Sequence, residues 1–351
     1  VTSNNTASST FTPSTPIIAK SALGYDPSTG YIEWQVYVNG HGGMDLTVTL
    51  ENVVLTETIT DPDQKYVTGS LIVKDKGGNV YTGGTLTSES ASGFVYEFPA
   101  TITDTYIATF YTKLTDPEQY KSNYTGTAYN SIDVDLDNGT GGSSSFYQAI
   151  DSEVFSKSAG SYDYSTREMT WTIVVDDDQV PLDNVVVTDS ISSGQTFLAS
   201  SFTVTDSLGT AYTSGTLNSD ATSFTYSFGG TISDTYTITY KTELTDLTLL
   251  ETNGSFTLSN DATLTHDEIA SPLTDSASKT ITSELVTKDS DYTSGNDYID
   301  WTIIVNRNQL SLVNAVITDT LETGLSLDTS SIELYSLTVN SDNSVTKNTR
   351  I

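Results

Sequence analysis

Three tryptophans, each at the same place in a recurring phrase, constrain this chain more than any other feature. The phrases read IIAKSALGYDPSTGYIEWQVYVN, EVFSKSAGSYDYSTREMTWTIVV and ELVTKDSDYTSGNDYIDWTIIVN. In each, a Lys and a Tyr-rich turn precede the Trp (Trp34, Trp171, Trp301), and the Trp opens an alternating run. A second phrase follows: LENVVLTETI around Glu57, LDNVVVTDSI around Asp189 and LVNAVITDTL around Asp319. A third occurs twice, with Asp104 and Tyr106 matching Asp234 and Tyr236. A fourth closes the first two copies, TAYNSIDV at Asn130 and TLSNDATL at Asn260. Self-similarity at a long period means copies of one folding unit. The third copy stops at Ile351 without the last two phrases. That is expected of part of a longer chain, the alternative being that another chain supplies those strands.

Within each copy the period is two. In WTIVV, Trp171, Ile173 and Val175 point one way and Thr172 and Val174 the other; in TYTITY, Tyr236, Ile238 and Tyr240 share a face. Short runs of this kind, broken by Gly, Asn, Asp and Ser turns about every 8–12 residues, read as strands. Seven or more per copy predict a two-sheet β-sandwich in an all-β chain. The Trp is the natural core anchor, since an indole buries on the order of 200 Å².

These units lie at 16–137, 150–267 and 284–351, the last incomplete. The polar stretch 1–15 reads as a flexible leader, 138–149 as a Gly/Ser linker and 268–283 as a second linker.

Composition narrows the function. The chain carries 45 acidic and 14 basic residues, a formal charge of -31. Such a surface repels phosphate backbones and anionic lipids, so neither nucleic acid nor membrane insertion is expected. Cysteine is absent, which removes disulfides, thiol nucleophiles and Cys-ligated metals. No apolar run is long enough to span a bilayer. Neither a signal peptide nor a sorting motif is present, as expected of a mature or excised fragment. Two His (His41, His266) in unrelated contexts offer no triad or zinc site. DVDLDNGTGG (Asp133, Asp135, Asp137) departs from a calcium loop: its Gly falls one place late and no Glu follows at the twelfth position. No metal and no cofactor are expected.

One constellation carries chemistry. Lys20, Lys157 and Lys288 precede their tryptophans by 14, 14 and 13 residues. Glu57, Asp189 and Asp319 follow those lysines by 37, 32 and 31 residues, and Asn130 and Asn260 close the first two units. In a chain so poor in basic residues, this threefold match singles the lysines out. The plain alternative is an edge-strand Lys that discourages aggregation, with each acid capping a turn.

The order Lys, W-x-[IV]-x-[VI], N-[VA]-x-[VIL]-T-[DE], then a closing Asn strand resembles the collagen-binding-type adhesin domains of Gram-positive surface proteins. The resemblance spans two complete units and the start of a third. It implies a variant immunoglobulin-like fold and a spontaneous Lys–Asn isopeptide bond assisted by a buried acid. Lys20 would then join Asn130 with Glu57 assisting, and Lys157 would join Asn260 with Asp189 assisting. Lys288 and Asp319 match without an Asn partner in these residues. Glu57 departs from the Asp usual in this family, although related surface domains use Glu in this role.

The function so implied is a non-enzymatic adhesin or stalk, extracellular and on the cell surface, attached to the cell wall through a region outside this chain. Its partner would be a host or extracellular-matrix protein or a carbohydrate. The alternative is a structural fibre or surface-layer subunit, self-associating and without ligand binding in this region. A carbohydrate-active enzyme is the remaining class, but no carboxylate pair is singled out for it.

Overall fold

Nearly every residue described lies in, or between, antiparallel strands. The computed structural model describes residues 17–41, 44–45, 48–136 and 141–351; the leader 1–15 and the start of the first linker lie outside them. Two compact units follow one another, Val1–Glu153 and Val154–Ile351.

In the first unit, one sheet runs from the Lys strand (Ile18–Asp26) to the Trp strand (Tyr31–Val38) and on to an aromatic strand (Tyr106–Leu114). Two short strands, Gln64–Tyr66 and Ile72–Asp75, complete it beside the aromatic strand. The facing sheet has the acid strand (Val54–Thr58) at its centre. The Asn strand (Tyr124–Asp135) flanks it on one side and Gly93–Glu97 on the other. The outer members are Gly141–Ser152 and Thr85–Ser90.

The second unit repeats this order. Phe155–Asp163, Glu168–Val175, Tyr236–Leu244 and Gln195–Thr205 form one sheet; Val186–Ile191 and Gly254–Thr265 sit in the other. The architecture is all-β, a tandem of immunoglobulin-like sandwiches.

The expected alternation holds on the Trp strands. Ile32, Trp34, Val36 and Val38 are buried, as are Met169, Trp171, Ile173 and Val175. Each strand ends in the left-handed region, at Asn39 (φ 57°), Asp176 (φ 60°) and Asn306 (φ 60°). Asn and Asp tolerate that conformation better than other side chains. In each case the amide donates to a carbonyl just before the Lys strand: Ile17, Val154 and Leu285.

Inside each sandwich runs a polar thread. Trp34 Nε1 donates to Thr112 Oγ1, Thr112 donates to Gln64 Oε1, and Gln64 Nε2 donates to the Tyr129 carbonyl, at 2.8, 3.0 and 3.0 Å. Trp171, Thr242, Gln195 and the Ser259 carbonyl repeat it at 2.9, 2.7 and 3.1 Å. Buried polar groups need such partners, and here each thread ends on the residue just before the closing Asn.

Both stretches read as linkers are largely strand. Gly141–Ser152 pairs with the Asn strand from Tyr124 to Asp135, and Leu273–Ser283 pairs with Gly254–Thr265. Their backbones hydrogen-bond as edge strands while most of their polar side chains face outward. Asp133 and Asp135 lie on the Asn strand, and no group of three or more metal-ligating side chains occurs among the described residues.

The third copy forms two hairpins, Val286–Asp291 with Asp300–Val305 and Tyr335–Val339 with Val345–Arg350. Its acid phrase around Asp319 is not a strand. In the other two copies that phrase is paired on both sides, and neither neighbour has a counterpart within these residues.

Candidate functional site

Registry places the charged residues before any side-chain detail is considered. Trp34 lies between Ala22 and Phe110 on its neighbouring strands, and Lys20 is two residues from Ala22, so its side chain enters the same interior face. Across the core, Glu57 pairs with Ile132, and Asn130 lies two residues from Ile132 on that face. In the second unit Trp171 lies between Ala159 and Tyr240, with Lys157 two residues from Ala159. Asp189 pairs with Ala262, two residues from Asn260. The sandwich thus presses a Lys from one sheet against an acid and an Asn on adjacent strands of the other.

In the first unit Lys20 Nζ donates to Glu57 Oε2 and to Asn130 Oδ1, both at 2.8 Å. The Lys and Glu side chains are fully shielded from solvent. Nζ lies 4.6 Å from the Phe110 ring centroid and 5.2 Å from that of Trp34. Glu57 Oε1 and Asn130 Nδ2 make no hydrogen bond. Burial lowers Lys20 to about 8, an effect only partly offset by the carboxyl of Glu57. Burial likewise raises Glu57 to about 7, against the pull of Lys20.

The second unit holds the same triad with one insertion. Lys157 Nζ donates to Asp189 Oδ2 at 2.6 Å and to the Tyr240 hydroxyl at 2.5 Å. That hydroxyl donates in turn to Asp189 Oδ2 and accepts from Asn260 Nδ2 at 3.0 Å. Both charged side chains are again shielded completely. Burial lowers Lys157 and raises Asp189, each partly countered by its partner. Burial, followed by the neighbouring carboxyl, raises Tyr240 well above the ordinary phenol, so it stays protonated.

The third copy brings Lys288 and Asp319 together at 2.7 and 2.9 Å, with Nζ 4.3 Å from the Trp301 ring centroid. There the pair stands in the open: Trp301 is 45% exposed, whereas Trp34 and Trp171 are 0%.

All eight residues singled out in the sequence fall in these three clusters. The sequence reading missed Tyr240 and its counterpart Phe110, along with the Trp–Thr–Gln threads. A signal was present in the aligned phrases: the unit with the longer acid has Phe, and the unit with the shorter acid has Tyr.

The sequence profile of the collagen binding domain family matches residues 152–274 and 283–350. The chain belongs to that family. The first unit lies outside the matched residues but carries the same Lys, acid and Asn in the same registry. A search of curated proteins found no significant match.

Among solved structures, the collagen adhesin CNA of S. aureus is similar at 10% identity, over 82% of this chain and 95% of that one, with a TM-score of 0.29. The collagen binding domain of surface protein RspB from Erysipelothrix rhusiopathiae is similar at 16% identity, over 82% and 96%, also at 0.29. The collagen binding subdomain of Enterococcus faecalis ACE is similar at 14% identity, over 35% and 94%, again at 0.29. Among the described residues no helix is long and apolar enough to cross a membrane.

Proposed function

We propose that this chain is an extracellular adhesive stalk of a bacterial surface protein, whose complete sandwiches seal themselves with Lys–Asn isopeptide bonds. The observation that carries this reading is a fully buried amine held against a buried acid in both units, with the Asn amide met directly in the first and through the Tyr240 hydroxyl in the second.

An ion pair held for stability alone is poorly served by this setting, because desolvation offsets most of the attraction. Burial instead moves both partners toward neutrality, and a neutral amine is a nucleophile. The neutral acid polarises the Asn carbonyl and exchanges protons. The bond forms between Lys Nζ and Asn Cγ, the Cγ–Nδ2 bond breaks, and one proton passes from Nζ to Nδ2, which leaves as ammonia. Folding supplies the contact, so no diffusible substrate takes part.

Each bond ties the Lys strand to the Asn strand near the two ends of its sandwich. By analogy with a disulfide, closing a loop of about 100 residues stabilises by roughly 4–5 kcal/mol. Pulling force then runs through covalent ties, which suits a stalk without cysteine.

Family membership supports collagen, or a related extracellular-matrix protein, as the ligand. The full chain is expected to bind immobilised triple-helical collagen saturably by surface plasmon resonance. No binding would remove the ligand from this reading while leaving the crosslinks. Tandem mass spectrometry of a digest tests the crosslinks separately: branched peptides joining Lys20 to Asn130 and Lys157 to Asn260 are expected, and finding only linear peptides would refute the sealing.

A further inference from the structure

The two clusters differ in what joins the amine–acid pair to the amide. Trp34 pairs across its strand with Phe110, and Trp171 pairs in the same register with Tyr240, so the two rings occupy equivalent positions. The acids also differ, Glu57 against Asp189. A Glu is longer than an Asp by one methylene, and a Tyr extends past a Phe by one hydroxyl. The added reach moves from the acid to the ring.

In the second unit that hydroxyl touches every reacting group. It accepts from Lys157 Nζ and from Asn260 Nδ2, and it donates to Asp189. Phe110, at the equivalent place in the first unit, has no polar atom to play this part, and Lys20 Nζ meets Asn130 Oδ1 directly.

We propose that Tyr240 is a catalytic residue of the second crosslink, the proton carrier between the attacking amine and the departing ammonia, and that the first unit dispenses with it by using the longer Glu57. This rests on the isopeptide reading above. As Nζ attacks Cγ of Asn260, the neutral Asp189 gives its proton to the forming oxyanion and, now a carboxylate, takes one from Nζ; the oxyanion's proton returns to Asp189 when the carbonyl re-forms. The Tyr240 hydroxyl gives its proton to Nδ2 and is reprotonated by Asp189. The Cγ–Nδ2 bond breaks, ammonia leaves, and both Asp189 and Tyr240 end as they began. One proton has moved from nucleophile to leaving group, and no outside reactant is consumed. Burial holds the phenol's pKa above its ordinary value, which keeps it protonated between transfers. In the first unit Glu57 holds the amine through Oε2 and the amine itself meets Asn130 Oδ1, while Glu57 Oε1 and Asn130 Nδ2 have no other partner, so the second oxygen of the longer carboxyl is left to serve the leaving group.

The test uses the full chain, with the first unit as an internal control. Wild type, Tyr240→Phe and Asp189→Glu/Tyr240→Phe are recovered unfolded, refolded side by side, and sampled over time. Digestion and mass spectrometry then read ammonia loss separately for each unit, and Trp fluorescence confirms folding. Tyr240→Phe is expected to slow ammonia loss in the second unit about 100-fold, the low end for general acid–base catalysis, with the first unit unchanged. The double variant, which recreates the Glu/Phe pairing, is expected to recover most of that rate. A purely structural tyrosine would give no such rescue.

Tyr240→Phe closing its bond at the wild-type rate would overturn the proposal while leaving the crosslink reading intact. A folded double variant as slow as the single would overturn the equivalence of the two routes. Absence of ammonia loss from the wild-type second unit would sink the crosslink reading and this proposal together.

Discussion

The two complete sandwiches solve one problem with different parts. The first places Glu57 opposite Phe110, and the second places Asp189 opposite Tyr240. In both, the amine and acid are wholly shielded and the Asn lies on the strand beside the acid. The comparison teaches that the two units share a shielded amine–acid pair beside an Asn, while the link from amine to amide is direct in one and runs through a hydroxyl in the other. The third copy supplies the contrast: its Lys288–Asp319 pair is formed, but the strands that would roof it have no counterpart in these residues.

The largest expected effect tests whether the units are equivalent in what they gain. Asn130→Ala and Asn260→Ala would each remove one proposed bond and are expected to lower the unfolding free energy of their own unit by roughly 4–5 kcal/mol. Chemical denaturation followed by the fluorescence of Trp34 or Trp171 reads this out. A loss confined to one unit would break the parallel.

Next come the threads. Thr112→Val and Thr242→Val each strand a buried indole N–H and a buried Gln, at a cost of about 1–3 kcal/mol in either unit. Equal losses, measured by urea titration, are expected because the two threads match atom for atom.

Phe110→Tyr sharpens the contrast from the other side. The first cluster already holds the longer acid, so an added hydroxyl overfills it and is expected to cost about 1–3 kcal/mol in thermal unfolding, without speeding the bond. Faster closure would contradict the division of labour between ring and acid.

A smaller effect concerns pH in the first unit alone. The reactive pair needs a neutral amine, favoured above about 8, and a neutral acid, favoured below about 7. Closure during refolding is therefore expected to be fastest between those values, falling about tenfold per pH unit on either side. In Asn130→Ala, where the pair stays unlinked, linkage fixes the sign of the stability change. Stability falls as pH rises from 4.5 to about 7, because Glu57 ionises first in the unfolded chain. It rises from about 8 to 10.5, because Lys20 loses its proton first in the folded chain.

Much of this was legible in the residues. Repetition marked the lysines, acids and asparagines, and period two put Trp171, Ile173 and Val175 on one buried face. Tyr240 was legible only as core, because alternation reports which face a residue occupies and not what its hydroxyl meets. The strands Gly141–Ser152 and Leu273–Ser283 escaped for a different reason. An edge strand is held chiefly by backbone hydrogen bonds and needs little apolar surface, so GGSSSFYQA reads as linker. The acid phrase of the third copy shows the converse: a strand pattern without neighbours on either side stays irregular.

The local backbone around the acid adds a constraint that no side-chain pattern carries. Gly93 has φ +136°, and a Cβ there would sit 1.9 Å from the Glu57 carbonyl oxygen. Only glycine lets the neighbouring strand approach the acid so closely.

The central claim is that folding alone joins Lys20 to Asn130 and Lys157 to Asn260. The intact mass of the folded 351-residue chain tests it most directly. The account expects a mass two ammonia molecules below that of the sequence, reduced to one by either Lys20→Ala or Lys157→Ala. A wild-type mass equal to that of the plain sequence would contradict it.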